Sequence, residues 1–339
     1  MKFKNINFIL VVLFFLGCCS NKDEIIIHGK TMGTFYSVEI NNIPKEYNNE
    51  FLKIEIEKTL VKVNKILSNW DENSEISLLN DNKSSLPIKL SKQLFETLEI
   101  ANYINKNSKG YYDVTIDPII ELWGFGYKNK NEFKIPNNKK IQNVLKFVNQ
   151  NKFLKLNKKT NEITKLNPNL RINLSSIGKG YGIDMIAKKI ESLGISNYLI
   201  NIGGDIFARG KNRNRKKWKI GIENPDLKDK MIKEVVSITD KGVATSGDYK
   251  NYFTKNKVRF SHLHNPKTGK PIKHKTKSVT VITNSATLAD GFATAFLVMG
   301  RIKGIEISEK LNIPVLFIDE IKGNFVKFKN KNFEKLSKE

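Results

Sequence analysis

Apolar residues recur at three- and four-residue intervals in five stretches of the chain, and between these stretches apolar and polar positions alternate. The first stretch predicts a helix over 51–67, with Leu52, Ile56, Leu60, Val63 and Leu67 on one face. Ser91 is placed to cap a second helix over 92–104, a third is expected near 139–149, and an apolar one over 285–299 is ended by Gly300. Strands are expected at 25–27, 35–40, 198–202, 218–223, 235–239, 278–283, 314–318 and 324–328, with a hairpin near 153–166 and an extended piece over 111–115. The Lys- and Asn-rich loop 128–138 is the expected site of mobility, and no internal repeat is present.

The remaining periodic stretch lies in the segment around which the chain is organised, residues 171–210. Ile172 and Leu174 read as a strand, followed by a turn containing Ser175, Ser176, Gly178, Gly180 and Gly182. A helix carrying Ile183, Ile186, Ala187, Ile190 and Leu193 follows and stops at Gly194. Small residues ahead of a helix leave its first N–H groups open to an anion such as phosphate. The same glycines would also allow close helix–strand packing. Neither familiar phosphate loop fits: Lys179 is followed by Gly180 rather than Ser or Thr, and Gly178-Lys179-Gly180-Tyr181-Gly182 is one residue short of a dinucleotide fingerprint.

A length of 339 residues with 40% apolar content is enough for a sizeable core. Lys2 and Lys4 precede an apolar run over 8–16, then Gly17-Cys18, which has the form of a secretory signal with a lipoprotein cleavage box. Phe15 stands where such a box has an aliphatic residue, and Cys19 offers a second, poorer register. Residues 1–17 are therefore expected to be a signal, with lipid on Cys18, a tether over 18–27 and the folded region over 28–339. An extracytoplasmic, membrane-anchored location follows. Cys18 and Cys19 are the only cysteines, so the folded part has no disulfide and no thiolate metal site. The net charge of +24 comes from lysines spread through nearly every loop beside Asn, with no basic stripe interleaved with aromatics. That distribution argues against nucleic acid as a partner.

Asp290 and Thr294 are four apart on a predicted helix, so their oxygens share a face. A carboxylate on a helix made otherwise of Ala, Gly, Leu, Phe and Val needs a partner, which could be a hard cation such as Mg²⁺ or a neighbouring loop. Four histidines are present: His28, His262, His264 and His274. His262 and His264 alternate in an expected strand, without a third ligand of zinc type. His262 in a polar turn is the candidate general base, with Asp248 in reserve. Trp70, Tyr111, Tyr112, Trp123 and Phe125 stand in Gly-, Ser- and Asp-rich turns, where they suit either core packing or a flat ring that stacks.

Taken in order, these motifs resemble the ApbE family of FAD:protein FMN transferases from about His28 onward. The resemblance rests on Lys30-Thr31-Met32-Gly33-Thr34, Leu67-Ser68-Asn69-Trp70, Tyr112-Asp113-Val114-Thr115 with Trp123-Gly124-Phe125-Gly126, and Asn173 through Tyr181. It continues through Asn201-Ile202-Gly203-Gly204-Asp205, Thr245-Ser246-Gly247-Asp248-Tyr249, Ser261-His262-Leu263-His264-Asn265-Pro266 with Thr268-Gly269, and Ala289-Asp290 to Thr294. It implies a mixed α/β (α+β) fold, a T-fold-like core with a smaller accessory lobe. It also implies that FAD is held by Met32, Trp70, Tyr111, Tyr112, Asp113, Asn173, Lys179 and the backbone at His264, and Mg²⁺ by Ser176, Asp290 and Thr294. The chain departs from the family pattern at Asn173, where Asp is frequent, at His264-Asn265, where an aliphatic residue and Asp are frequent, and at Ala293, where some members carry a second carboxylate.

The implied reaction is attack by a Thr or Ser hydroxyl of a target protein on the FMN-side phosphorus of FAD, with AMP leaving. The implied acceptors are extracytoplasmic flavoprotein subunits of respiratory redox complexes, or exported flavin reductases. Two alternatives share the site: a Mg²⁺-dependent FAD pyrophosphatase giving FMN and AMP, and a non-catalytic FAD-binding lipoprotein.

Overall fold

Eight strands cross a single antiparallel sheet in the same order as they occur in the chain. They are β1 (Glu24–Thr31), β2 (Thr34–Asn41), β3 (Asn197–Ile202), β4 (Asp205–Arg209), β5 (Lys241–Gly247), β6 (Thr276–Thr283), β7 (Val315–Ile321) and β8 (Asn324–Lys329). This computed structural model describes residues 24–128, 133–225, 232–249 and 251–337. The expected signal, Cys18, Cys19 and residues 129–132 of the Lys/Asn loop lie outside the described residues. Residues 25–27, expected as a strand although the tether was drawn over 18–27, belong with Glu24 to β1.

Alternation along the strands builds two apolar faces. On one, Val38, Ile40 and Ile200 meet α1 (Asn49–Leu67) and α3 (Gly178–Ser192), while Val279, Val281 and Phe317 meet α2 (Lys92–Asn107) and α4 (Ala286–Met299). Phe292 and Phe296 of α4 are fully buried and stack with their ring centroids 5.4 Å apart. Burial of side chains of this size contributes about 1.5–3 kcal/mol each. On the other face, Val243, Ile282, Leu316 and Ile318 are covered by Trp218, Ile220 and Val236 of a separate hairpin and by Phe333 of the helix Lys331–Ser337. Among the described residues no helix is long and apolar enough to cross a membrane.

The long excursion between β2 and β3 carries α1 to α3 and a smaller lobe. The lobe contains the helices Asp117–Leu122 and Asn138–Leu145, and its core of Ile119, Trp123, Ile141 and Val148 is completed by Phe260 from the connection between β5 and β6. The architecture is the mixed α/β arrangement expected from the sequence. The predicted helices of the core recur with small changes of boundary. Ser91 caps α2 by accepting from Leu94 N, and Ser285 caps α4 by accepting from Leu288 N.

Several local readings are corrected. The extended piece over 111–115 is instead a turn leading into the 3-10 helix Val114–Ile116 and the helix Asp117–Leu122. The Asp113 side chain caps Thr115 N, and Pro118 suits a first helical turn. Ile172 and Leu174 belong to no sheet. Their backbone is paired by side chains instead: Asn80 exchanges two hydrogen bonds with Ile172, and Asn69 donates to Ile172 O and accepts from Leu174 N. Helices Glu75–Asp81, Arg301–Lys310 and Lys331–Ser337 were not expected from the pattern. The glycine run is not a loop ahead of the helix, because α3 begins at Gly178.

Candidate functional site

The end of β5, one face of α4, the start of α3 and the turns at 111–113, 173–176 and 262–264 meet around a cavity of about 260 Å³. Its walls include Tyr111, Tyr112, Asp113, Asn173, Ser176, Lys179, His262, His264, Asp290 and Thr294. Ten of the thirteen side chains singled out for chemistry within the described residues are thus brought together. The other three are not. Trp70 is half exposed and packs edge-on against Tyr127, with centroids 6.0 Å apart. Met32, in the β1–β2 turn with φ 49°, faces Gly182 of α3. Asp248 is not part of the cavity wall and is ion-paired with Arg259 at 2.6 Å and Lys277 at 3.5 Å. Asp248, the reserve base, thus stands in an ion-pair cluster outside the cavity wall.

Lys179, on the first turn of α3, sits between two buried carboxylates. Its Nζ is 2.8 Å from Asp205 Oδ2 and 3.1 Å from Asp290 Oδ1, and Asp290 Oδ2 also accepts from Gly180 N at 3.0 Å. Burial acts to lower the Lys179 pKa, but the attraction of Asp205 and Asp290 outweighs it and the ammonium stays charged. Burial pushes the Asp290 carboxyl well above the ordinary carboxylate range, opposed by Lys179 and reinforced by Asp205. Asp205, on β4, is a member of the cluster that sequence reasoning quoted in Gly203-Gly204-Asp205 without assigning it a role. A carboxylate directly after a strand-ending Gly-Gly was the signal available.

Thr294 lies one turn beyond Asp290, and its Oγ1 is 3.1 Å from Ser246 Oγ of β5. Ser176 Oγ is 3.2 Å from the hydroxyl of Tyr112, which burial pushes above its ordinary range. Asn173 donates to Asp117 Oδ1 at 2.9 Å and accepts from Ser175 N, which locks its amide. An Asp at that position would face a second carboxylate. Tyr111 Oη receives Lys303 Nζ at 2.6 Å, while Lys267 Nζ lies 4.3 Å from the centre of its ring.

The two histidines are not in one strand, because the strand Val258–Ser261 ends before His262. His262 Nδ1 is 2.9 Å from Asn251 O. A carbonyl only accepts, so Nδ1 carries the proton and Nε2 is the basic nitrogen. His264 Nδ1 likewise donates to His262 O at 2.9 Å, and its ring is enclosed by Trp123 and Phe125. Burial, assisted by His262, holds the His264 pKa down at about 3, so its ring is neutral.

The donor set is compatible with a hard divalent cation. Asp290 offers a buried carboxylate, Thr294, Ser246 and Ser176 offer oxygens, and two carboxylates stand against one ammonium. Among the described residues no three His, Cys, Asp or Glu side chains converge, which disfavours a zinc-type site.

The ApbE family model matches residues 32–317. The chain is 35% identical over 323 residues to an FAD:protein FMN transferase of Vibrio cholerae, covering 95% of this chain and 96% of the relative. It is 37% identical to that of Haemophilus influenzae, covering 95% and 94%. Its fold superposes on the flavin transferase ApbE from Vibrio cholerae with a TM-score of 0.85 at 34% identity, covering 92% of this chain and 99% of that one. It matches the apo Pseudomonas stutzeri flavinyl transferase ApbE with a TM-score of 0.85 at 29% identity, covering 93% and 96%. Sequence and fold agree, and the chain belongs to the ApbE family.

Proposed function

We propose that this chain transfers the FMN part of FAD to a Thr or Ser hydroxyl of an extracytoplasmic flavoprotein and releases AMP. The reading is supported by one juxtaposition: a histidine with a fixed tautomer and a buried Lys–Asp cluster with adjacent hydroxyls line the same cavity. The curated relatives of the chain are FAD:protein FMN transferases.

The acceptor oxygen attacks the FMN-side phosphorus, and the bond from that phosphorus to the bridging oxygen breaks. The bridging oxygen and its electron pair leave with AMP. The acceptor proton passes to His262 Nε2, which the Asn251 carbonyl holds as the acceptor nitrogen. Lys179 presents positive charge to the diphosphate, and Tyr111, Tyr112, Asp113 and Asn173 line the wall against which the flavin nucleotide is oriented. Asp290 and Thr294, with the loop at Ser176, would hold Mg²⁺, which supplies neutralisation of phosphate charge when bound. The signal-like N-terminus supports lipidation at Cys18, anchoring at a membrane, and acceptors that are subunits of respiratory redox complexes or exported flavin reductases.

The test follows AMP release and in-gel flavin fluorescence together, using the chain from Ser20 onward with FAD, Mg²⁺ and an acceptor bearing a flavinylation threonine. A denaturation-resistant fluorescent acceptor formed with AMP is the expected result. AMP without a labelled acceptor would favour the pyrophosphatase, and FAD binding with neither product the non-catalytic binder.

A further inference from the structure

We propose that Asp184 is a positioning residue for Asp290 and Thr294, acting through the helix that carries both. It is not part of the cavity wall. Its carboxylate reaches from the second turn of α3 to the first turn of α4, where it accepts from Ala286 N at 2.9 Å, Thr287 N at 3.0 Å and Ser285 Oγ at 2.6 Å, and also from Thr287 Oγ1.

Two observations separate this from ordinary capping. First, α4 already has a cap, because Ser285 accepts from Leu288 N, so Asp184 adds attachment to another helix. Second, the attachment is reciprocal. The N-terminus of α3 has no side-chain cap of its own and instead gives Gly180 N to Asp290 of α4. Gly180 stands four residues before Asp184, and Ala286 four before Asp290. Each helix therefore offers a first-turn N–H to a carboxylate one turn along the other. The backbones touch between these bonds, since a Cβ on Gly180 would lie 2.3 Å from Ala286 O.

A clasp of this form fixes α4 in both rotation and axial position. Rotating α4 to free Asp184 swings Asp290 away from Gly180 and carries Thr294 with it, because the three share one rigid helix. Asp184 thus sets the spacing between Asp290, Thr294 and Lys179 without touching substrate.

The inference rests on the metal reading above, and the experiment separates the two. Mn²⁺, a paramagnetic stand-in for Mg²⁺, is titrated into the full chain with FAD, and free Mn²⁺ is read by electron paramagnetic resonance. FAD affinity without metal is read in parallel by flavin fluorescence. Asp184→Ala is expected to weaken Mn²⁺ binding at least tenfold and Asp184→Asn at least threefold, with metal-free FAD affinity within threefold of wild type. If the alanine variant fails to fold, the asparagine variant carries the measurement. Ile186→Ala, a core truncation two residues further along α3, is expected to lower the melting temperature and leave Mn²⁺ affinity unchanged. Wild-type Mn²⁺ affinity in both Asp184 variants overturns the inference, as does an equal loss in Ile186→Ala. Absence of Mn²⁺ binding in the wild-type chain overturns the metal reading and this inference with it.

Discussion

Lys179 Nζ lies 3.1 Å from Asp290 Oδ1, joining the first turn of one helix to the second turn of another. The pair is the hinge of the candidate site, because Asp205 shares the same ammonium and Gly180 the same carboxylate. Removing one member of such a buried group leaves the others uncompensated. Lys179→Met strands two carboxylates and is expected to destabilise the fold by about 3 kcal/mol. Asp290→Asn leaves the Lys179–Asp205 pair intact and is expected to cost less, while reducing AMP release by at least about 100-fold. Thermal melts and AMP assays on both variants check the two orderings.

His262→Ala is expected to lower kcat by about 10²–10⁴ and to leave FAD affinity within a few-fold of wild type. The reason is that Nε2 acts on the acceptor proton and the ring is held from its other side by Asn251 O. Single-turnover labelling of the acceptor, with FAD binding measured separately, distinguishes this from loss of the pocket.

Acid is expected to destabilise the fold through His264. Its folded pKa is near 3 while the unfolded chain titrates near the ordinary value of about 6.5, so between these the unfolded state binds the extra proton. The stability from this group is complete above about pH 6.5 and is lost as pH falls toward 3, about 2 kcal/mol being gone at pH 5. Denaturation curves at pH 7 and pH 5 measure the loss. A His264→Leu variant should show a smaller difference between the two.

Gly180→Ala sets two effects of opposite sign against each other. Alanine gains about 1 kcal/mol over glycine inside a helix. The added methyl would meet Ala286 O at 2.3 Å, Ala286 C at 2.6 Å and Thr287 Cα at 2.7 Å, all backbone atoms that cannot turn aside. Overpacking costs about 1–3 kcal/mol and displaces α4, so a net loss of stability and a drop in activity are expected. Gly178→Ala meets no atom within 4 Å and should be neutral or stabilising. Paired melts of the two variants check the contrast.

The helices α1 and α4 were legible because each repeats its apolar positions with a helical period and ends in residues that cap or break a helix. Asp290 was legible as a residue in need of a partner, since a carboxylate on an apolar helix demands one. The sequence alone did not reveal that this partner includes Lys179 from 111 residues away, or that Asp205 completes the cluster. The strand expected at Ile172 failed for the same reason. Its alternation was correct, but its hydrogen-bond partners are the side chains of Asn69 and Asn80 rather than a neighbouring strand. Periodicity and capping depend on residues within one or two turns of each other, and these the sequence determines. The tertiary structure alone decided which helix N-terminus meets which carboxylate, and with it the pairing of Asp248 with Arg259 and Lys277 and the clasp at Asp184. Those contacts depend on where chain segments far apart in sequence are brought together by burial of their apolar faces.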